Sequence, residues 1–311
     1  MAKGNESNTK KLHIVMFPWL AFGHIIPFLE LSKFIARKGH KISFISTPKN
    51  IDRLPKLPSE FSNSMRRGGW WSLVKNVSGV SDFYRVGVTI NRADAIIIRH
   101  CNEFEGQWLK LLEDLHHTPV LPTGLMPSIV KTSTDEKNES WLSIEEWLDR
   151  NQKGLVVYVA LGSEVTITQS EINELARGLE LSGSPFFWVL RKPTGSGNID
   201  PIELPNGFEE RTKDRGIVWN SWVPQLKILS HESIGGFLTH YGWGSTIEGL
   251  MFGHPLIMLP FLCDQGLNAR ILEDKEDGSY TSDSVAHSVK LVMIGNDGKI
   301  IREKAKEREE L

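Results

Sequence analysis

A chain of 311 residues has the length of about two domains. Its 40% hydrophobic and 24% charged residues are an ordinary globular composition, which excludes a disordered or fibrous protein. A formal net charge of −2 gives no reason to expect nucleic acid or an anionic membrane as partner, and two cysteines, Cys101 and Cys263, cannot make a disulfide framework.

The polar start, 1–11, leads into an apolar run too short for a signal peptide or a membrane span, so a cytoplasmic chain with no membrane span is expected. That run, 12–18, has the continuous apolar character of a strand buried on both faces. A short loop at 19–24 carries Gly23 and His24. A helix at 25–38 follows, with Ile25, Phe28, Leu31, Phe34 and Ile35 on one side and Gly39 to stop it. Residues 41–47 make a second strand, so the chain opens with a βαβ unit and a parallel sheet. No Gly-x-Gly-x-x-Gly follows the first strand, which argues against a nicotinamide-linked oxidoreductase.

From 54 to 71, prolines and the run Arg66-Arg67-Gly68-Gly69 break any pattern, and no regular element is predicted. Order returns with a strand at 95–98, a helix at 103–115 and a strand at 119–121. Residues 127–142 are rich in Ser, Thr and charge and read as a linker, with a short helix at 143–151 beyond them. Strands are then expected at 155–161, 186–190, 216–219, 236–239 and 255–260. Helices are expected at 170–181, 246–252 and 281–293, and a charged, solvated helix at 299–311.

The richest stretch is 222–265, where polar and aromatic residues fall at strand ends. Ligands of open α/β sheets bind beyond those ends. Trp222 can stack on a flat base, worth on the order of 1–3 kcal/mol, with Val223 and Gln225 offering hydrogen bonds to the base edge and sugar. The N–H groups from His240 to Thr246, Gly244 among them, lead into a helix N-terminus that suits a phosphate, and His240 and Ser245 add side-chain donors. Glu248 can accept from a pair of ribose hydroxyls, and Asp264 and Gln265 suit the hydroxyls of a sugar. Taken singly, each is better explained as a packed, capping or solvated residue. Their joint order and spacing reverses that weighting.

This stretch resembles the signature box of plant family-1 UDP-sugar-dependent glycosyltransferases, which has the same length, opens with Trp and closes with Asp-Gln. The resemblance implies an α/β, GT-B-like fold of two facing Rossmann-like domains with parallel sheets. An acceptor-side domain would occupy 1–126 and a UDP-sugar-binding domain 143–311. Trp222 would stack on uracil beside Val223 and Gln225, and Glu248 would hold the ribose. His240, Ser245 and Ser163 would meet the diphosphate, and Trp243, Asp264 and Gln265 the sugar. Two positions depart from the family: Tyr241 stands for the common Cys or Ser, and Gly244 for the common Asn.

The segment FPWLAFGHIIPFLELSKFI is similar to the family's first strand, loop and helix, where the His is the general base. That His would be His24, although position alone favours a capping or exposed imidazole. Family members have a longer middle before the stretch ADAIIIRHCNEFEGQWLKLLEDL, so the N-terminal domain is expected to be incomplete. The Asp that pairs with the catalytic His has no match; Asp52, Asp82 and Asp94 read as solvated or capping residues. The implied activity is inverting transfer of a sugar, glucose first, from a UDP-sugar to a hydroxyl of a flavonoid or terpenoid, including one already glycosylated. No metal and no cofactor beyond the donor is implied. The alternative is a non-catalytic UDP-binding remnant of such an enzyme.

Overall fold

A computed structural model describes residues 11–16, 18, 22–46, 48–56, 58–61, 64–69, 88, 90–126, 139–162, 167–190, 203–259 and 280–307. The chain divides into two compact units, Met1–Met126 and Pro127–Leu311.

The first unit opens with strand β1 (His13–Met16), helix α1 (Phe22–Arg37) and strand β2 (Lys41–Ser46), paired in parallel with Ile14 opposite Ile42. Gly39, at φ 89°, ends α1 and donates its N–H to the Ala36 carbonyl. The helix begins three residues before the predicted 25, so His24 stands in its first turn and not in a loop. Pro27 is tolerated because its missing N–H falls opposite Gly23, close to the helix start.

A second departure follows helix α2 (Pro48–Arg53): the supposedly patternless Met65–Gly69 is strand β3, parallel to β2. Its sequence, MRRGG, has poor strand character, but β2 offers an open ladder and Met65 is buried in the core with Ile42 and Phe44. Pairing and burial override propensity here. Strands β4 (Ile96–Ile98) and β5 (Val120–Pro122), flanking helix α3 (Asn102–His116), form a separate two-stranded parallel sheet. Ile97 and Leu121 lie opposite each other there and are 58% and 50% exposed. Among the described residues this unit therefore holds two small sheets in place of one large one.

The second unit is built around a five-stranded, fully parallel sheet in the order β10-β9-β6-β7-β8. These strands are β6 (Val156–Ala160), β7 (Phe186–Val189), β8 (Gly216–Trp219), β9 (Ile234–Thr239) and β10 (Leu256–Met258). Every residue of the central β6 is buried, and its side chains alternate between two cores. Val157 and Val159 pack with helix α5 (Gln169–Ser182), while Val156, Tyr158 and Ala160 pack with helix α4 (Glu139–Asp149). Helix α4 starts inside the expected linker, with Glu139 in its first turn where a helix dipole favours an acid.

Thr168 and Glu171 form a reciprocal capping box at the head of α5. Helices α6 (Phe208–Thr212), α7 (Gln225–Leu229), α8 (Trp243–Met251), α9 (Ser282–Met293) and α10 (Asp297–Glu307) complete the unit. Helix α8 starts at Trp243, not 246, because Gly242 is extended and serves as its cap residue. The Glu174 carboxylate accepts from the Ser282 N–H at 2.6 Å, tying α9 to α5, and this bond holds the carboxyl below its usual pKa. The last helix is not wholly solvated as expected. Ala305 is buried, and Arg302 donates to the Val292 carbonyl at the end of α9.

Gly235 marks a bulge, since Val156 pairs with Ile234 and Val157 with Gly236. A Cβ at 235 would lie 1.9 Å from the Gly154 carbonyl oxygen, a backbone atom. Gly235→Ala should therefore destabilise the second unit by about 1–3 kcal/mol through overpacking, read as a drop of several degrees in melting temperature. An unchanged melting temperature would show that this approach has slack. No helix among the described residues is long and apolar enough to cross a membrane.

Candidate active site

From β6 the second unit's sheet grows one way through β7 and β8, and the other way through β9 and β10. The gap between β6 and β9 is thus the point where strand order reverses, and ligands of such sheets bind beyond the strand carboxyl ends near that point. Gly162 follows β6 and His240 follows β9. The His240 imidazole is seated between two glycines. A Cβ on Gly162 would come within 2.6 Å of its Cε1, and one on Gly242 within 2.6 Å of its Nε2. Gly162 has φ 77°, so this position suits glycine on backbone grounds as well.

Between the imidazole and α8 stands Tyr241, at φ 65° and only 1% exposed. A bulky residue in the left-handed region is uncommon, and it persists where the surroundings hold it. Here burial of the phenol ring does so. The turn delivers the chain into α8, whose first internal bond runs from the Thr246 N–H to the Gly242 carbonyl at 3.0 Å. Trp243, Gly244 and Ser245 thus make the first turn, where backbone N–H groups and the helix dipole favour an anion.

Next to this turn lies a pocket lined by Tyr158, Leu161, Gly162, Trp222, Val223 and Gln225, with Ala160 and Val189 at its floor strands. Trp222 is 61% exposed and Val223 is buried. A ring presented this way offers an indole face to a planar ligand. Gln225, the first residue of α7, donates from Nε2 to Glu248 Oε2 on α8 at 2.7 Å. Its Oε1 accepts from the Tyr158 hydroxyl at 3.3 Å.

Trp222, Val223, Gln225, His240, Trp243, Gly244, Ser245 and Glu248 are thus all carried by the second unit, along the carboxyl edge of its sheet or on the two helices that follow it. Ser163, Asp264 and Gln265 lie outside the described residues, as do Asp82 and Cys263. His24 belongs to the first unit and is exposed on α1. Asp52 and Asp94 are exposed. Sequence reasoning missed Tyr158 and Gly162. The signal for Tyr158 was a hydroxyl in the middle of an otherwise aliphatic buried strand.

One further cluster has the composition of an acyl-transfer triad but not its geometry. His231 Nε2 lies 3.1 Å from Asp149 Oδ1 and Nδ1 lies 2.9 Å from Ser233 Oγ. Ser233 is 1% exposed, and its own N–H also points to Nδ1 at 3.3 Å. The imidazole pins the end of α4 to the start of β9. Among the described residues no group of three or more His, Cys, Asp or Glu is placed to hold a metal.

A parallel sheet with an indole, an amide–carboxylate pair and a helix N-terminus along its carboxyl edge defines a nucleotide-binding unit of the Rossmann class. Residues 108–296 match the family described as "UDP-glucoronosyl and UDP-glucosyl transferase". The chain is 40% identical to UDP-glycosyltransferase 91D1 of Stevia rebaudiana, over 96% of this chain and 88% of that one. It is 31% identical to soyasaponin III rhamnosyltransferase of Glycine max, over 99% and 93% respectively. The fold matches the structure of Phytolacca americana UGT2 complexed with UDP-2fluoro-glucose and pterostilbene, with TM-score 0.74, 23% identity, and 97% and 94% of the two chains covered.

The chain belongs to the UDP-glycosyltransferase family, and its fold is that of the plant members. The alignment to the Stevia relative spans 428 positions against 311 residues here, so at least 117 positions of it have no counterpart.

Proposed function

We propose that this chain transfers a sugar, glucose first, from a UDP-sugar to a hydroxyl of a small plant metabolite, a flavonoid or terpenoid or one of their glycosides. The observation that carries the reading is the carboxyl edge of the second sheet. There the glycine-seated His240, the first turn of α8, the Gln225–Glu248 pair and the exposed Trp222 all belong to one unit, and their chemistry suits a diphosphate, a ribose and a uracil. Trp243, Asp264 and Gln265 take the sugar and Ser163 assists at the diphosphate. UDP-sugar is the donor substrate, and the chemistry calls for no further cofactor.

In the displacement the acceptor oxygen bonds to the anomeric carbon and its proton passes to His24. The bond from that carbon to the diphosphate breaks, its electron pair leaving with UDP, and the anomeric configuration inverts. His240, Ser245 and the α8 N-terminus stabilise the charge that grows on the diphosphate; preorganised donors of this kind are often the largest catalytic factor. A cytoplasmic location fits this substrate class.

The missing positions support a second reading, a UDP-binding remnant without catalysis. UDP release from UDP-glucose, with UDP-rhamnose as a second donor, measured with a panel of flavonoid and terpenoid monoglycosides, separates the two. Acceptor-dependent release establishes the transferase. Folded protein that binds UDP yet releases none from either donor leaves the remnant.

A further inference from the structure

The chain Tyr158–Gln225–Glu248 begins in the core and ends in the site, and we infer that Tyr158 is a positioning residue that sets the preference for a ribose over a 2′-deoxyribose. The inference rests on the reading that Glu248 holds the ribose hydroxyls.

Tyr158 is fully buried on β6, with its ring stacked on Phe237 at 5.0 Å between centroids and 20° between planes. Neither partner moves easily, since both strands are central and paired to each other. The phenol hydroxyl is therefore delivered to a fixed point at the pocket wall. A side-chain amide carries an acceptor at one end and donors at the other. With the hydroxyl donating to Gln225 Oε1, the amide has only one orientation, and that one aims Nε2–H at the Glu248 carboxylate. Turned the other way, the amide oxygen would face a carboxylate oxygen at hydrogen-bond distance, which is repulsive.

A hydrogen bond to a charged acceptor is the strong link of the chain, and the neutral Tyr158 link decides which way that strong link points. The carboxylate is thereby held at one rotation on α8. Its ability to accept from the 2′ and 3′ hydroxyls together depends on that rotation, whereas stacking on Trp222 and contact at the diphosphate do not.

The test is calorimetric binding of UDP and of 2′-deoxy-UDP to the full chain. The wild type should bind UDP more tightly. Tyr158→Phe keeps the stacked ring and should lower the melting temperature by no more than a few degrees, yet shrink the preference for UDP about fivefold, the worth of one neutral hydrogen bond. Gln225→Met breaks the same chain one step further on, outside the packed core, and should shrink it too. Glu248→Ala should abolish the preference.

If Glu248→Ala abolishes it while Tyr158→Phe leaves it whole, the positioning role is overturned, whatever Gln225→Met does, and the ribose role of Glu248 stands. If Glu248→Ala leaves the preference intact, the ribose reading itself falls. Tyr158→Phe, which removes only the hydroxyl, decides the positioning role, and Gln225→Met reports on Gln225 itself.

Discussion

Replacing His24 with alanine should lower acceptor-dependent UDP release by about 10²–10⁴-fold, the range expected for a positioned general base, while UDP binds as before. The two halves of this expectation come from different units. His24 is exposed in the first turn of α1, outside the core formed by Ile25, Leu29, Phe44 and their neighbours. Surface substitutions of that kind stay within about 0.5 kcal/mol of the parent in stability. The residues assigned to UDP all belong to the second unit, and truncating an imidazole on the first unit leaves them intact.

Single-turnover UDP release at saturating donor, with calorimetry for UDP on the same samples, checks both halves. A His24→Ala protein that releases UDP at the parent rate would take His24 out of the chemistry. A protein that also loses UDP affinity would mean that the substitution perturbs the second unit.

The second unit was legible because its strands are apolar runs bounded by turns, and because the candidate residues from Trp222 to Glu248 fall just after strands or at the starts of the helices that follow them. Strand Gly216–Trp219 was read to the residue for that reason. What escaped was conformation that side-chain pattern does not encode. Helix α8 starts at Trp243 because Gly242 is extended, a backbone fact with no periodic signature. Tyr241 in the left-handed region is equally silent, as only the folded core shows that its ring is buried and can hold the turn.

In the first unit the difficulty was different. Strand β3 is imposed by the open edge of β2 on a sequence that would not choose it, and no local reading finds a strand whose reason lies 20 or so residues away. Tyr158 was passed over because an apolar strand reads as core throughout. The alternation of its side chains, which turns one hydroxyl toward α7, becomes meaningful only once Gln225 is seen opposite.

Gly162→Ala should reduce kcat/KM by about 10²-fold, the loss typical of a displacement near 1 Å at a catalytic group. Alanine at 162 meets two obstacles. At φ 77° an L side chain costs about 1–2 kcal/mol. Its Cβ would also stand 2.6 Å from Cε1 and 2.9 Å from Nε2 of His240, closer than van der Waals contact allows. On its other side the ring also lies close to Gly242, where a Cβ would reach Nε2 at 2.6 Å. The imidazole must shift from its seat, and with it the donor proposed to meet the diphosphate.

A double-mutant cycle separates displacement from simple strain. If the glycine acts through the ring, Gly162→Ala added to His240→Ala lowers the rate little further, because the group it displaces is already gone. Strain alone would instead add its full effect in both backgrounds and appear as a lower melting temperature in each. Gly242→Ala approaches the same ring from the other side and should reproduce the first result without a left-handed residue to strain, since Gly242 has φ −65°. Full activity in both glycine variants would show that His240 does not need this seat, and would remove the main physical argument for placing the diphosphate beside it.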